Sequence, residues 1–128
     1  MKYLSAEEIL IIHAAILDET GGLHGVRDVN LLDSAAHRAR VSFVRRELYK
    51  TVFEKAAAYL HSLAMNHVFL DGNKRTSIAS SARFLDLNKY VLEADNKEIE
   101  RFVLSVVIEK LEINDIAKWL KKHSRKKS

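Results

Sequence analysis

The segment HVFLDGNKRTS, residues 67–77, holds most of the side chains in this sequence that are able to do chemistry. It contains a histidine, an aspartate, an asparagine, a lysine and an arginine within nine residues, and it includes Gly72, one of four glycines in the chain. Helical patterns on both sides predict one helix that ends near Asn66 and a second that begins near Asn73. The polar residues are therefore expected in the turn between two helices.

The start of the second helix favours an anion. The first amides of a helix have no acceptor within that helix and carry a partial positive charge. Gly72 permits a backbone conformation, or a close approach by a ligand, that a side chain would prevent. Lys74 and Arg75 in the first helical turn are unfavourable for the helix dipole by themselves, so an anion bound between them would explain their position.

The other polar residues suit transfer of a phosphoryl or nucleotidyl group. Asp71 is a hard oxygen ligand that can hold Mg²⁺ against a di- or triphosphate. Histidine titrates near neutral pH, so His67 can act as a general base for a substrate hydroxyl. Asn73 can donate a hydrogen bond to a phosphate, and Phe69 is expected to be buried and to fix the turn.

Each of these residues also has a purely structural interpretation. His67 can cap the preceding helix, Asp71 can cap the following one, and the two cations can simply be solvated. A Walker phosphate loop is excluded, because the first glycine and its spacer are missing and no buried strand precedes the segment. A metal hydrolase is disfavoured, since His61 and His67 do not share a helix face as an i, i+4 pair would.

Six helices are predicted to position this turn. Proline is absent, glycine is rare, and apolar residues recur at helical spacing. Three starts match capping boxes and a fourth has a capping residue without a glutamate partner. They are Ser5 with Glu8, Thr51 with Glu54, Asp95 with Glu98, and Asp28 alone. The expected helices cover about 6–19, 29–40, 52–66, 73–88, 96–110 and 115–123.

Composition indicates a single all-α domain. At 128 residues the chain is long enough to bury its own core, and the absence of cysteine excludes disulfides and thiolate metal sites. No apolar run reaches the roughly 18 residues of a membrane span. The N-terminus also lacks the features of a signal peptide, so a cytoplasmic location without membrane contact is expected.

The basic residues are unevenly distributed along the chain. Six of the 21 lysines and arginines lie at or after residue 118, and no acid follows Asp115. A nucleic-acid-binding domain spreads its basic charge over a folded face, so this pattern favours a solubilising tail instead. We expect a domain over residues 1–123 and a basic tail over 124–128, whose removal leaves stability nearly unchanged.

The polar segment and its flanks together resemble the Fic/Doc superfamily, and specifically its death-on-curing (Doc) branch. HVFLDGNKRT agrees with that branch's H-x-F-x-D-[GA]-N-K-R-T at every defined position. The similarity extends over roughly residues 4–95 and includes GGLHGVRD followed by LLDSA, EKAAAYLHSLAMNH, and FLDLNKYVL. It implies a compact all-α Fic/Doc bundle of about six helices.

The resemblance also implies roles for the residues of the segment. His67 corresponds to the family's catalytic histidine, Asp71 to its Mg²⁺ ligand, and Gly72, Asn73, Lys74 and Arg75 to its phosphate-binding loop. The implied reaction is transfer of the γ-phosphate of ATP to a serine or threonine hydroxyl of a cellular protein such as a translation factor.

Two positions depart from the adenylylating Fic pattern, H-x-F-x-[DE]-G-N-G-R-x-x-R. Lys74 stands where that pattern has a glycine, and Ile78 stands where it has a second arginine. In the Doc branch the same lysine accompanies ATP bound in the reverse sense. Gly72 in place of alanine keeps one Fic-like feature, so AMP transfer remains an alternative, as does a catalytically idle regulatory module.

An external regulator is a further implication of the resemblance. Many Fic proteins carry an inhibitory helix, [ST]-x-x-x-E-[GN], and the nearest match here, SVVIEK at 105–110, lacks the final residue. The family's alternative is a small antitoxin whose disordered C-terminal segment folds in a groove of the toxin. The expected partners are an antitoxin and a protein substrate, with nucleic acid contacted only through the antitoxin.

Overall fold

Six α-helices and two small antiparallel sheets make up the computed structural model, which describes residues 1–128. In chain order the elements are α1 (Ala6–Thr20), α2 (Val29–Arg38), β1 (Ser42–Phe43), β2 (Arg46–Glu47), α3 (Val52–Met65), α4 (Asn73–Leu87), β3 (Tyr90–Leu92), α5 (Asn96–Ile108), α6 (Ile113–Lys122) and β4 (Ser124–Lys126). The predicted all-α class and the number of helices are confirmed. No helix has the length and apolar character needed to cross a membrane.

Local side-chain caps determine where the helices begin. At each of the four predicted starts a capping side chain accepts a hydrogen bond from the amide three residues on; the caps are Ser5, Asp28, Thr51 and Asp95. Among these, only α1 completes the reciprocal bond, from the Ser5 amide to the Glu8 carboxylate at 3.2 Å. α6 begins earlier than predicted, at Ile113, where the Asp115 carboxylate accepts a hydrogen bond from the Glu112 amide at 3.4 Å.

α3 runs through the centre of the bundle. Residues 55–60 are all buried, and α3 packs against α2, α4, α5 and α6. The fully buried Tyr59 accepts a hydrogen bond from the Leu4 amide at 2.9 Å, which attaches the N-terminus to the core. Burial raises the pKa of the Tyr59 hydroxyl. α3 is therefore the fixed element from which its C-terminal turn projects.

Small side chains line the contact between α3 and α4. α4 buries Thr76, Ser77, Ser80 and Ser81 on the face toward α3, and α3 contributes buried alanines. The Ser81 hydroxyl donates to the Ala56 carbonyl at 2.9 Å. Helices that meet through small side chains approach closely. Because the polar turn connects these two helices, their packing fixes both of its ends.

The strands β1 and β2 form an antiparallel hairpin between α2 and α3. Its two tip residues, Val44 and Arg45, have φ of 51° and 64°. A two-residue type I′ hairpin turn requires a positive φ at both of its central residues. Lys55 of α3 is 1% exposed, and its Nζ donates to the Glu47 carboxylate at 3.1 Å and to the Tyr49 carbonyl at 2.7 Å. A buried ammonium group therefore attaches the hairpin to the core.

The basic C-terminal segment is attached to the domain. Ser124–Lys126 form β4 and pair antiparallel with β3. The Nε of Arg125 lies 2.6 Å from the Glu93 carboxylate, and Lys127 contacts the Asp86 carboxylate and lowers the pKa of Asp86. The segment is mostly exposed, as expected of a tail that buries little, but its pairing with β3 was not predicted, because pairing with a distant strand leaves no local signal in the sequence.

Removing residues 124–128 is expected to destabilise the domain. The deletion removes the β3–β4 ladder and the hydrogen bond from the Lys127 amide to the Lys89 carbonyl (2.8 Å). Since each hydrogen bond contributes about 0.5–1.5 kcal/mol net, we expect a loss of roughly 2–3 kcal/mol in the free energy of unfolding. Urea unfolding measures this loss, with Arg125→Ala as the control that keeps the ladder and removes only an exposed ion pair. A deletion variant with an unchanged midpoint would contradict the prediction.

Candidate active site

The polar turn lies between the end of α3 and the start of α4. α3 ends at Met65 with Asn66 as its C-cap, and His67 follows with φ of 47°, in the left-handed region. A residue other than glycine is uncommon in that region, and the conformation costs on the order of 1–3 kcal/mol. Val68 and Phe69 are buried, as predicted for Phe69, whereas His67 is exposed. The turn therefore has a buried half that fixes it and an exposed half that carries its polar groups.

The segment 25–28 pairs with the buried half of the turn along its backbone. An isolated β-bridge joins Val26 to Phe69. The hydrogen bonds run from the Leu70 amide to the Gly25 carbonyl (3.1 Å) and from the Arg27 and Asp28 amides to the Val68 carbonyl (2.8 and 3.2 Å). Backbone hydrogen bonds of the kind found between strands thus fix the turn, although it contains no regular strand.

His13 supports the turn from α1. Its side chain is buried, and its ring stacks on Phe69 with centroids 3.8 Å apart. The Nε2 of His13 lies 2.8 Å from the Asp71 carbonyl oxygen. A carbonyl only accepts, so Nε2 carries the proton and donates it. This contact was not predicted; the one sequence signal for it is a histidine within the apolar face of α1.

The Asn73 side chain is bonded to the turn itself. Its Oδ1 accepts a hydrogen bond from the Phe69 amide at 2.9 Å, and its Nδ2 donates to the Phe69 carbonyl at 3.0 Å. The carboxamide thus braces the turn with its oxygen and one amide hydrogen. Its second amide hydrogen and the Asn73 backbone amide are not used in these bonds, so donation to a phosphate stays a prediction.

The first amides of α4 have no acceptor within the chain. Gly72 is the N-cap with φ of 76° and ψ of 16°, and no side chain caps the helix. The first helical hydrogen bond runs from the Thr76 amide to the Gly72 carbonyl, which leaves the amides of Asn73, Lys74 and Arg75 free. The left-handed backbone at position 72 explains the glycine. The structure therefore has an uncapped helix N-terminus with two cations in its first turn.

The Asp71 carboxylate lies beside this helix end. Its Oδ1 accepts from the Gly72 amide at 2.9 Å and its Oδ2 from the Leu23 amide at 3.3 Å. A Cβ on Gly22 would lie 2.7 Å from Oδ2, so the glycine leaves room for the carboxylate. Asp71 does not cap α4, and about half of its lone pairs remain free for a cation.

These groups face one cavity of about 670 Å³. The residues that line it include all six predicted site residues: His67, Asp71, Gly72, Asn73, Lys74 and Arg75. α5 contributes a further wall with Asn96, Ile99, Glu100, Val103 and Val107. The structure thus brings the six residues together and adds a largely apolar wall, from a helix that sequence reasoning did not connect with the site.

His61 lies apart from this cavity. It lines a second cavity, where Arg38 donates a hydrogen bond to its Nδ1 at 2.8 Å. Burial and the Arg38 guanidinium lower the pKa of His61, which favours the neutral ring. No group of three or more histidine, aspartate or glutamate side chains is close enough to form a metal site from protein ligands alone.

The model of the Fic/DOC family matches residues 3–85, a range that includes the whole polar turn and α1 to the end of α3. The chain belongs to the Fic/DOC family. The resemblance drawn from HVFLDGNKRT and its flanks is confirmed, and the turn described above is part of the matched region.

Two proteins with assigned names are similar to this chain. Toxin Doc of Mycolicibacterium smegmatis is 40% identical over 94 residues, which cover 73% of this chain and 70% of that protein. Protein kinase doc of Escherichia phage P1 is 29% identical over 122 residues, which cover 95% of each chain. The second similarity extends past α4 and so includes most of the α5 wall of the cavity.

Asn73→Ala is expected to loosen the turn. The substitution removes both hydrogen bonds to Phe69 and leaves its buried amide without an acceptor. Amide hydrogen exchange at Phe69 should become roughly tenfold faster or more. Asn73→Asp is the comparison, because it keeps the acceptor for the Phe69 amide while it loses the donor to the Phe69 carbonyl and gains a negative charge. Equal exchange rates in the alanine variant and the wild type would contradict the bracing role.

Proposed function

We propose that this chain is a Doc-type toxin that transfers the γ-phosphate of ATP to a serine or threonine hydroxyl of a cellular protein, such as a translation factor. The observation that carries the proposal is the shared cavity, in which His67 accompanies the uncapped start of α4 and the two cations of its first turn. Phosphoryl transfer depends mainly on positioning and charge stabilisation, which these groups supply. The names of two relatives, a toxin and a protein kinase, support the same activity.

The start of α4 binds the phosphates in this proposal. The free amides of residues 73–75 are available to donate to an anion, and the helix dipole adds a favourable field. Lys74 and Arg75 are exposed and line the same cavity, so their side chains can neutralise further phosphate charge. A bound polyphosphate thereby offsets the unfavourable interaction between these cations and the helix dipole.

His67 serves as the general base. Its neutral imidazole takes the proton of the substrate hydroxyl as that oxygen forms a bond to the γ-phosphorus. The bond between the γ-phosphorus and the β–γ bridging oxygen breaks, so ADP leaves and the substrate carries the phosphate. The exposed position of His67 at the cavity suits a base that must reach a hydroxyl on another protein.

Asp71 is the residue that would hold Mg²⁺. Its carboxylate lies next to the phosphate-binding amides, and its contacts with Gly72 and Leu23 leave lone pairs free. A single carboxylate is sufficient, because Mg²⁺ commonly completes its octahedral shell with water and substrate phosphates. When bound, the ion would neutralise charge on the phosphates.

The residues at positions 74 and 78 favour γ-phosphate transfer over AMP transfer. Lys74 and Ile78 both line the cavity, so both are able to affect how a nucleotide lies in it. A long cation at position 74 crowds the site where a glycine would admit a diphosphate, and Ile78 offers no donor to a phosphate. Gly72 is compatible with either reaction, which makes AMP transfer the alternative that an experiment must exclude.

Regulation by a separate antitoxin belongs to the same proposal. Residues 105–108 are the end of α5, where Val106 is fully buried and the Ser105 hydroxyl donates to the Phe102 carbonyl at 2.7 Å, and residues 109–110 follow the helix. Because Val106 anchors this part of α5 in the core, the segment is not a detachable inhibitory helix. We infer an antitoxin whose disordered segment folds on the toxin, and a cytoplasmic site of action, where ATP and translation factors occur.

Labelled ATP decides which group is transferred. With γ-³²P-ATP and cell extract, the wild-type protein is expected to label a protein, and with α-³²P-ATP it is expected to label none. The double variant Lys74→Gly/Ile78→Arg should lose most γ-transfer, because two charge-assisted contacts of roughly 1.5–3 kcal/mol each change. Protein label from the α-phosphate with wild type would establish AMP transfer instead. The absence of label from either nucleotide would favour an idle regulatory module.

Asp71→Asn is expected to remove the Mg²⁺ dependence of ATP binding. The substitution keeps an acceptor for one of the Gly72 and Leu23 amides, replaces the other carboxylate oxygen with an NH2 donor, and removes the charge that holds the cation. Isothermal titration should show ATP affinity that rises with Mg²⁺ in the wild type and not in the variant. His67→Ala is the comparison: it should bind ATP normally while transfer falls about 10²–10⁴-fold. Equal Mg²⁺ dependence in Asp71→Asn and the wild type would leave Asp71 a structural residue.

A further inference from the structure

The C-terminus of α3 lacks the residues that usually stabilise a helix end. Its last turn contains no basic residue, although a cation there would interact favourably with the helix dipole. The first residue beyond the C-cap is in the left-handed conformation, at a position where glycine or asparagine is usual. Here that residue is His67, the proposed base. Some other part of the molecule must therefore stabilise this helix end and this backbone conformation.

Arg27 makes the required contacts. Its Nε donates to the His67 carbonyl at 2.5 Å and its Nη2 to the Asn66 carbonyl at 3.1 Å. The backbone amide of Arg27 donates to the Val68 carbonyl at 2.8 Å. One residue from the loop before α2 thus bonds three consecutive carbonyls of the turn, and it brings the missing positive charge to the end of α3.

The two side-chain bonds act on the two backbone angles of His67. The Asn66 carbonyl belongs to the peptide plane before the His67 Cα, and the His67 carbonyl belongs to the plane after it. Peptide planes are rigid, so orienting both planes fixes φ and ψ of the residue between them. A planar guanidinium is able to hold two carbonyls in a set relation, which the ammonium of lysine does less well.

We propose that Arg27 is a positioning residue for His67. It holds the left-handed backbone of His67, which lines the cavity, whereas Arg27 itself is not among the residues that line it. This inference rests on the proposed function for its effect on catalysis, but its effect on the backbone is independent of any reaction. A misplacement of about 1 Å in a reacting group is able to lower a rate by about 10²-fold.

The experiment compares Arg27→Ala and Arg27→Lys with the wild type in two measurements. The ¹³Cα and ¹³Cβ chemical shifts of His67 report whether its backbone stays left-handed. Transfer kinetics with γ-³²P-ATP, run below the melting temperature of every variant, report kcat and KM for ATP. Arg83→Ala is the matched control, since Arg83 is an exposed arginine whose guanidinium contacts the Asp86 carboxylate at 3.0 Å, away from the turn.

In Arg27→Ala the left-handed shifts of His67 should be lost, and kcat should fall roughly 10- to 100-fold while KM for ATP changes less than about threefold. Arg27→Lys should lie between alanine and wild type, and Arg83→Ala should match the wild type in both measurements. Wild-type shifts in Arg27→Ala would overturn the inference, and so would altered shifts with an unchanged kcat. If the wild type transferred no phosphate, the proposed function would fail, and the chemical shifts would still decide whether Arg27 sets the His67 backbone.

Discussion

An uncapped helix N-terminus with two cations in its first turn is the feature on which the rest of the site depends. Without a ligand, Lys74 and Arg75 oppose the dipole of α4, and the amides beside them have no acceptor in the chain. Such an arrangement persists only where solvent or an anion reaches it and where the rest of the helix is well anchored. The open cavity meets the first condition, and the buried contact of α4 with α3 meets the second.

The turn before α4 must present its groups at fixed positions, and three separate parts of the chain hold it. From α1, His13 donates a hydrogen bond to the Asp71 carbonyl, and segment 25–28 pairs with the turn along its backbone. From α4, the Asn73 side chain bonds both the amide and the carbonyl of Phe69. These contacts go almost entirely to backbone atoms. The side chains of His67, Lys74 and Arg75 therefore remain free of partners inside the molecule and available to a ligand, which is the arrangement that a preorganised site requires.

The cavity combines two kinds of surface with different consequences. The turn and the start of α4 supply charge and hydrogen-bond donors, which suit phosphate. α5 supplies Ile99, Val103 and Val107, with Glu100 among them, and such a surface suits a base, a ribose or an apolar peptide side chain. The apolar wall thus comes from a separate helix, whose own N-terminus is capped by Asp95.

The sequence by itself determined the features that depend on residues only a few positions apart. Helix starts were predictable from Ser5, Asp28, Thr51 and Asp95, because an N-cap acts on an amide three residues away. The uncapped start of α4 with two cations in its first turn was predictable for the same reason, since Gly72, Lys74 and Arg75 lie within that helix end. The tertiary structure alone decided the role of the Asn73 carboxamide, the contacts of His13 and Arg27, the wall from α5 and the pairing of the C-terminal strand. Each of these joins groups whose partners are chosen by the packing of whole helices, and no local pattern in the chain records that choice.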